Sequence, residues 1–238
     1  MDNKWKDKTI ETQCCYLRVF FDFLCSEELI PKNPMLKIEN IKCSSEPKNP
    51  FTATEMEMLR NVCYRDTRSM ALLEFLDATG LRVGSVVALR WKNLDLFNRK
   101  GFVRMKGGDV NEFRFSEKSA FYLLKMLDER MTVEGRNKEE MMERPVFTCK
   151  RRNPKTKDYE GLTTDGIRYI LDEIGKKCGI SDIYPHKFRR TFACEAINRG
   201  MALEDLKALM HHKQYDTTLG YARLNDSRLE NSYRTYCE

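Results

Sequence analysis

The stretch that decides the fold is PHKFRRTFA at residues 185–193, which has the pattern of the first turns of a helix. Proline suits the first helical position, and Phe188 and Phe192, four residues apart, form a core-facing stripe. His186 and Arg189 are three residues apart and share a second face. At a helix N-terminus, unpaired N–H groups and the positive end of the dipole favour an anion. The pattern predicts a packed helix that presents His186 and Arg189 to an anion; taken alone, it also fits a basic surface helix.

Two other segments add an arginine, a histidine and a tyrosine to this pair. Arg82 lies in ATGLRVGSVVALRW at residues 78–91, and His212 and Tyr221 lie in LMHHKQYDTTLGYAR at residues 209–223. Guanidinium groups match phosphate oxygens in pairs and stay charged at physiological pH. A tyrosine hydroxyl can attack phosphorus and leave again as a phenolate, which makes a covalent intermediate reversible. The set therefore predicts metal-free chemistry on a phosphodiester.

The order Arg…His-x-x-Arg…His…Tyr, within these three segments, resembles the tyrosine recombinase (phage integrase) family from about Thr9 to the C-terminus. The resemblance implies a site-specific DNA recombinase or integrase that cleaves and rejoins strands through a 3′-phosphotyrosyl intermediate. Tyr221 would be the nucleophile, and neither a metal nor a nucleotide cofactor would be needed. The family's spacing of nine residues between histidine and tyrosine selects His212 over His211. The resemblance further implies that four side chains hold the phosphate: Arg82, His186, Arg189 and His212.

Two positions near these segments leave alternatives open. Lys106 stands before Gly107-Gly108, at the end of a predicted strand. By resemblance it is the hairpin-tip lysine that protonates the leaving 5′-hydroxyl, since nearby arginines can lower an ammonium pKa; a solvent-exposed turn lysine is the alternative. The family usually has a polar-acidic pair two and three positions after its first arginine, and Gly84-Ser85 stands there instead. The orientation of Arg82 is therefore open.

Charge and resemblance together point to the partners. The net charge of +6 permits nucleic-acid binding without requiring it. By resemblance, the partners are a double-stranded DNA recombination site and further copies of the chain, as a tetramer on two duplexes and a monomer when free. A non-catalytic DNA-binding relative, regulatory or architectural, and a type IB topoisomerase-like enzyme are the alternatives. The run at residues 150–157 is strongly basic and fits either a solvated loop or a DNA contact. Its five cations are Lys150, Arg151, Arg152, Lys155 and Lys157.

Periodicity and helix boundaries predict a mainly α fold with a small antiparallel β-sheet (α+β). Residues 102–105 and 113–115 predict a hairpin, and Val146-Phe147 a short strand. By resemblance, residues 1–45 form a partial core-binding (SAM-like) helical arm and residues 46–238 the catalytic domain. The arm has room for one long helix and a short one, so we expect it to supply only part of a DNA clamp. The predicted helices cover residues 9–29, 52–63, 70–78, 117–130, 164–177, 186–198, 202–210 and 226–236.

Several classes of protein do not fit the sequence. No stretch approaches 18 uninterrupted apolar residues, which argues against a transmembrane helix, and the N-terminus lacks the apolar region of a secretory signal. The nine cysteines include no Cys-x-x-Cys pair, and the three histidines all lie in the segments quoted above. Neither a disulfide framework nor a metal site is therefore expected. We expect a cytoplasmic, nucleoid-associated protein.

Overall fold

The computed structural model describes residue 5 and residues 7–39, 49–104 and 110–210. The chain divides into two compact units, residues 1–48 and 49–238. The predicted domain boundary between residues 45 and 46 lies outside the described residues, as do the hairpin turn and the predicted helix at 226–236. None of the described helices is both long and apolar enough to cross a membrane.

The described residues of the first unit form one long helix and one short turn. Helix α1 (Asp7–Ser26) has no buried residue, and a 3₁₀ turn (Pro34–Lys37) follows it. Asn33 joins the two, because its side chain accepts the Met35 N–H at 2.8 Å and donates to the Asp22 carboxylate at 2.6 Å. The helix ends three residues before the predicted Leu29, since Glu28 adopts a left-handed conformation with φ of 59°.

The second unit is built around a buried helix. Helix α3 (Thr67–Thr79) is buried along most of its length, and Phe75 at its centre packs against Phe113, Phe115 and Phe147. Helices α5 (Glu117–Glu134) and α8 (Pro185–Asn198) pack on its sides. The remaining helices of the described residues are α2 (Ala53–Cys63), α4 (Val83–Ala88), α5 (Glu117–Glu134), α6 (Lys138–Met142), α7 (Thr164–Cys178), α8 (Pro185–Asn198) and α9 (Leu203–Met210).

A three-stranded antiparallel sheet covers one side of this core, in the order β1 (Leu94–Asp95), β2 (Lys100–Arg104), β3 (Val110–Arg114). Gly101 lies opposite Phe113, and a Cβ at Gly101 would come within 2.5 Å of the Phe113 ring. The absence of a side chain at this position thus lets the ring lie against β2. The mainly α fold with a small antiparallel sheet is the class that the sequence predicts.

Three short elements and one strand depart from the predictions. Helices α4 and α6 and strand β1 were not predicted, because each is too short to show a period. The strand predicted at Val146-Phe147 is wrong. Both residues are buried in the core, and only isolated bridges form beside them, from Pro145 to Arg90 and from Thr148 to Gly161. Their apolar character reflects burial rather than pairing within the sheet.

Candidate active site

Arg189 links three separate parts of the sequence. Its side chain is 3% exposed, on the buried face of α8. Nη1 donates to the Gly80 carbonyl at 2.5 Å, and Nη2 donates to the Met210 carbonyl at 2.5 Å. Gly80 precedes Arg82 by two residues, and Met210 precedes His212 by two residues. One guanidinium therefore holds the backbone next to both of the other predicted segments.

The loop that carries Arg82 is fixed at both of its ends. Gly80 has φ of +57°, and a Cβ there would lie 2.7 Å from the Phe192 ring. Leu81, 3% exposed, anchors the loop in the core. The Arg82 carbonyl accepts the N–H groups of Ser85 at 2.8 Å and Val86 at 3.1 Å, which begins α4. Arg82 is partly buried and stands between two rigid elements, as an arginine that orients a phosphate must.

His186 lies in the first turn of α8 with its side chain exposed. Partial burial of the imidazole and the positive charges of neighbouring arginines hold its pKa below the ordinary value of 6.5. The arginines are, in order of effect, Arg189, Arg82, Arg168 and Arg190. A neutral imidazole at physiological pH can accept a proton, which suits a general base.

Two of these four arginines were not singled out in the sequence. Arg190 directly follows Arg189, and its Nη1 is buried without a hydrogen-bond partner among the described residues. Arg168 lies in α7 and forms an ion pair of 2.7 Å with Asp165, one turn earlier. Adjacency to Arg189 was an available signal for Arg190. Arg168 is eighteen residues before His186, so only the packing of α7 reveals its relation to the site.

Three predicted site residues, Lys106, His212 and Tyr221, lie outside the described residues. Of the six predicted catalytic residues, the structure describes Arg82, His186 and Arg189, and it brings these three together. Within the described ranges, no three His, Cys, Asp or Glu side chains are grouped so that they could hold a metal ion.

Comparison with known proteins identifies the family. Residues 49–228 match the model of the phage integrase family. The chain belongs to this family. Tyrosine recombinase XerC of Bacillus licheniformis is 32% identical over 235 residues, which cover 96% of this chain and 74% of that protein. The corresponding XerC of Pediococcus pentosaceus is 29% identical over 237 residues, 96% of this chain and 75% of that protein.

A solved structure of the family agrees with the fold. The Tn1549 transposon integrase in complex with transposon right-end DNA superposes with a TM-score of 0.74 at 20% identity, and covers 100% of this chain and 82% of that one. At this identity the likeness establishes the fold alone. The helices and small sheet described for residues 49–210 accordingly have the fold of a tyrosine recombinase.

The basic run at residues 150–157 differs from the Arg189 site. All five of its cations are exposed. Lys150 forms an ion pair of 2.8 Å with Asp66, and the Arg152 guanidinium lies 5.3 Å from the centre of the Tyr159 ring. Asn153 shapes the turn, since its side chain accepts the Lys155 N–H at 2.8 Å. The run is thus an ordered, cationic surface loop, which suits either solvation or contact with phosphates.

A cavity of about 1100 Å³ lies away from this chemistry. It is bounded by α5, α6 and the turn after β1, and Trp91, Phe121 and Leu124 contribute apolar walls. None of the predicted site residues that the structure describes lines it. Arg82, His186 and Arg189 lie instead where the loop before α4 meets α8.

Proposed function

We propose that this chain is a site-specific DNA recombinase that cleaves and rejoins strands through a 3′-phosphotyrosyl intermediate. The observation that carries the proposal is the junction at Arg189, which fixes the backbone beside Arg82 and beside the segment that leads to His212. Membership of the phage integrase family supports it, as does the DNA bound to the Tn1549 integrase. A duplex DNA recombination site is therefore the proposed substrate.

The proposed reaction exchanges one phosphorus–oxygen bond for another. The Tyr221 hydroxyl attacks the scissile phosphorus, a bond forms to the tyrosine oxygen, and the bond to the 5′-oxygen breaks. His186, with its pKa held low by partial burial and by the surrounding arginines, accepts the tyrosine proton. Lys106 donates a proton to the 5′-oxygen. A 5′-hydroxyl from a partner duplex then attacks the phosphotyrosyl phosphorus, and the tyrosine leaves. The phosphotyrosyl link conserves the energy of the broken phosphodiester bond, so rejoining the strands needs no nucleotide cofactor.

Arginines supply the electrostatic part of the proposed catalysis. The five-coordinate transition state carries more negative charge on its non-bridging oxygens than the diester does. Arg82 and Arg189 would face that charge together with His212, and preorganised donors of this kind are each worth about a hundred- to a thousandfold in rate. No metal ion is needed to neutralise the phosphate in this scheme.

The remaining assignments follow from the family. Residues 1–45 would serve as a partial core-binding arm and residues 46–238 as the catalytic domain. Four protomers would act on two duplexes, with the free chain a monomer, and the reaction would take place in the cytoplasm at the nucleoid. The basic run, Lys150 to Lys157, would add contacts to the DNA backbone.

The decisive experiment traps the covalent complex. The chain is incubated with suicide DNA, nicked so that the released fragment diffuses away, and the products are separated under denaturing conditions. Tyr221→Phe should abolish the adduct while DNA binding persists, because only one oxygen is lost. Tyr215→Phe is the matched control and should retain the adduct. If the adduct maps to Tyr215, the nucleophile is misassigned; if the wild-type chain binds DNA without forming an adduct, it is a non-catalytic relative.

The proposed role of Lys106 as general acid can be tested with a second substrate. Lys106→Ala should slow cleavage of ordinary DNA strongly. A substrate with sulfur in place of the bridging 5′-oxygen needs little protonation, so it should restore much of the lost rate. Equal impairment on both substrates would remove Lys106 from the role of general acid.

A further inference from the structure

The side of α8 that faces away from the phosphate site is fastened to the beginning of the second unit. The Phe51 N–H donates to Thr191 Oγ1 at 2.9 Å. The Phe51 ring lies 4.8 Å from the Phe188 ring, and the Lys187 ammonium lies 4.2 Å above the Phe51 ring centre. Phe51 is 5% exposed. The chain therefore enters this unit against the back of the helix that carries His186 and Arg189.

The Thr191 hydroxyl serves two backbone groups at once. It accepts from Phe51 N–H and donates its own proton to the Lys187 carbonyl at 3.0 Å. Thr191 is fully buried, so water cannot replace either bond. The Lys187 carbonyl belongs to the first turn of α8, between His186 and Phe188. One hydroxyl thus connects the backbone at residue 51 to the turn that bears the proposed base.

An ion pair ties the start of α2 to the same turn. Glu55 accepts the Thr52 N–H at 2.7 Å within the capping box of α2, and its other oxygen lies 3.7 Å from Lys187 Nζ. The backbone hydrogen bond from Thr52, followed by the Lys187 charge, holds the pKa of Glu55 below its ordinary value. The Lys187 side chain is only 12% exposed. The first turns of α2 and α8 are therefore held together.

This attachment matters because the first turn of α8 lacks the usual local support. Tyr184, at the N-cap position, forms no side-chain cap hydrogen bond, although Pro185 suits the first helical position. Residues 187, 188 and 191 all contact Phe51, whereas His186 and Arg189 point elsewhere on the same turns. A small shift of this turn moves both proposed catalytic groups, and misplacement by about 1 Å can cost about a hundredfold in rate.

We propose that Thr191 and Phe51 are positioning residues for strand cleavage, which set the place of His186 and Arg189 without touching the DNA. The proposal rests on the proposed function. It names residues that the sequence pattern does not mark for chemistry, since Phe51 lies 135 residues before His186.

The test removes the hydroxyl and keeps the shape. Thr191→Val is compared with Thr191→Ser in single-turnover cleavage of suicide DNA, well below the melting temperature of each variant. We expect Thr191→Val to lower the cleavage rate about ten- to a hundredfold at saturating DNA, with DNA affinity unchanged, and Thr191→Ser to restore it. Thr132→Val is the matched control, because Thr132 is exposed and its hydroxyl donates to the Asp128 carbonyl within its own helix, α5.

A second readout separates positioning from loss of folded protein. The charges that face His186 come from Arg82 in the loop before α4, Arg168 in α7, and Arg189 and Arg190 in α8. If Thr191→Val displaces the turn, the acid limb of the cleavage profile should move toward the ordinary histidine pKa. A variant that merely unfolds in part would lose amplitude and keep its pH profile.

The same displacement can be followed without any reaction. The His186 ring is titrated by NMR in the free protein, and its signal is assigned by its loss in His186→Gln. A pKa that rises in Thr191→Val and returns in Thr191→Ser supports the proposal even if the wild-type chain forms no adduct. Should Thr191→Val fail to fold, Lys187→Met tests the same attachment and should shift the titration in the same direction. Unchanged titration and rate in the folded variant, or equal impairment in the serine variant, would overturn the proposal.

Discussion

Two arginine-rich regions of this molecule use their charge in opposite ways. Arg189 in α8 is 3% exposed and donates to two backbone carbonyls that come from distant parts of the chain. The loop at residues 150–157 carries five exposed cations. Two of them make contacts at the surface: Lys150 forms an ion pair with Asp66, and Arg152 lies over the Tyr159 ring. The first region orders a site, whereas the second forms a charged surface.

This difference indicates where catalytic power and where affinity should reside. A buried, preoriented guanidinium keeps its position when a phosphate arrives, so little reorganisation remains for the reaction. Exposed lysines and arginines are mobile and screened by salt, and they act on DNA mainly by releasing counterions. Changes in α8 should therefore alter rates, and changes in the loop should alter affinity.

Arg189→Lys should have the largest effect. An ammonium cannot serve the Gly80 and Met210 carbonyls and a phosphate as a planar fork does, so cleavage should fall at least about a hundredfold. The unfolding free energy should fall by about 1–3 kcal/mol, because buried carbonyls lose their donors. Single-turnover cleavage and urea unfolding measure the two effects. Arg151→Lys in the loop is the control and should change neither the cleavage rate nor the unfolding free energy. A comparable loss in this variant would contradict the proposed difference between α8 and the loop.

Acidification should affect the α8 site next most strongly. The folded pKa of His186 is below 6.5, so the folded chain binds fewer protons than the unfolded chain as the pH falls past that value. The stability associated with the neutral ring is thus complete above pH 6.5 and is lost as the pH falls through the folded pKa. The cleavage rate should stay nearly constant as the pH falls from 6.5 toward the folded pKa of His186. Below that pKa the ring is protonated, and the rate should fall about tenfold per pH unit.

His186→Gln distinguishes this titration from others. It should remove the acid limb of the single-turnover profile and leave a lower, flatter rate. A glutamine variant that keeps the wild-type acid limb would show that another group, and not His186, controls the pH dependence. Arg151 is not among the arginines that act on the His186 ring, so Arg151→Gln should leave the limb in place.

The comparison of the two regions also shows what the sequence could predict. The capping box at Thr52 and Glu55 and the left-handed glycine at Gly80 are local signals, and both are present in the structure. The two acceptors of Arg189 are 109 and 21 residues away from it in the chain, and no local pattern encodes them. Helix α4 escaped prediction because its six residues include Gly84 and Ser85 and bury only Val86.

For the site, residue types and spacing were enough to select Arg82, His186 and Arg189, because the family motif is contiguous within each segment. The charges that lower the His186 pKa could not be ranked in this way, since Arg168 reaches the site only through the packing of α7. The catalytic roles of the three selected residues stay predictions, as do those of Lys106, His212 and Tyr221. Sequence thus identifies the groups, and the fold supplies their mutual electrostatics.

Neutralising the loop should have a moderate effect, confined to affinity. If the whole chain makes six to ten phosphate contacts, raising the salt from about 50 to 200 mM should weaken its DNA binding about a thousandfold or more. Replacing Arg151, Lys155 and Lys157 by glutamine should reduce the slope of log affinity against log salt by about one for each phosphate interaction that the substitutions remove. Fluorescence anisotropy with labelled duplex measures the slope. The cleavage rate at saturating DNA should not change, and an unaltered slope would mean that the loop does not bind phosphates.

The smallest effect is expected at the pair that departs from the family, Gly84-Ser85. A Cβ at Gly84 would meet nothing within 4 Å, so Gly84→Ser is sterically free. Position 85 is in the first turn of α4, where its N–H donates to the Arg82 carbonyl at 2.8 Å, and a carboxylate in a first helical turn is favourable. Gly84→Ser with Ser85→Glu should therefore steady Arg82 and raise the cleavage rate by a few-fold, with the melting temperature raised slightly.

The control for this pair is Ser85→Gln, which adds similar bulk without the charge. If the glutamine variant is as fast as the glutamate variant, packing rather than an ion pair explains the gain. If the glutamate variant is slower than the wild-type chain, Arg82 is already held by the Gly80–Phe192 contact and the start of α4, and an added carboxylate competes with the phosphate for it. That outcome would extend the behaviour of Arg189 to Arg82, because backbone geometry would then position both arginines more effectively than an acidic neighbour does.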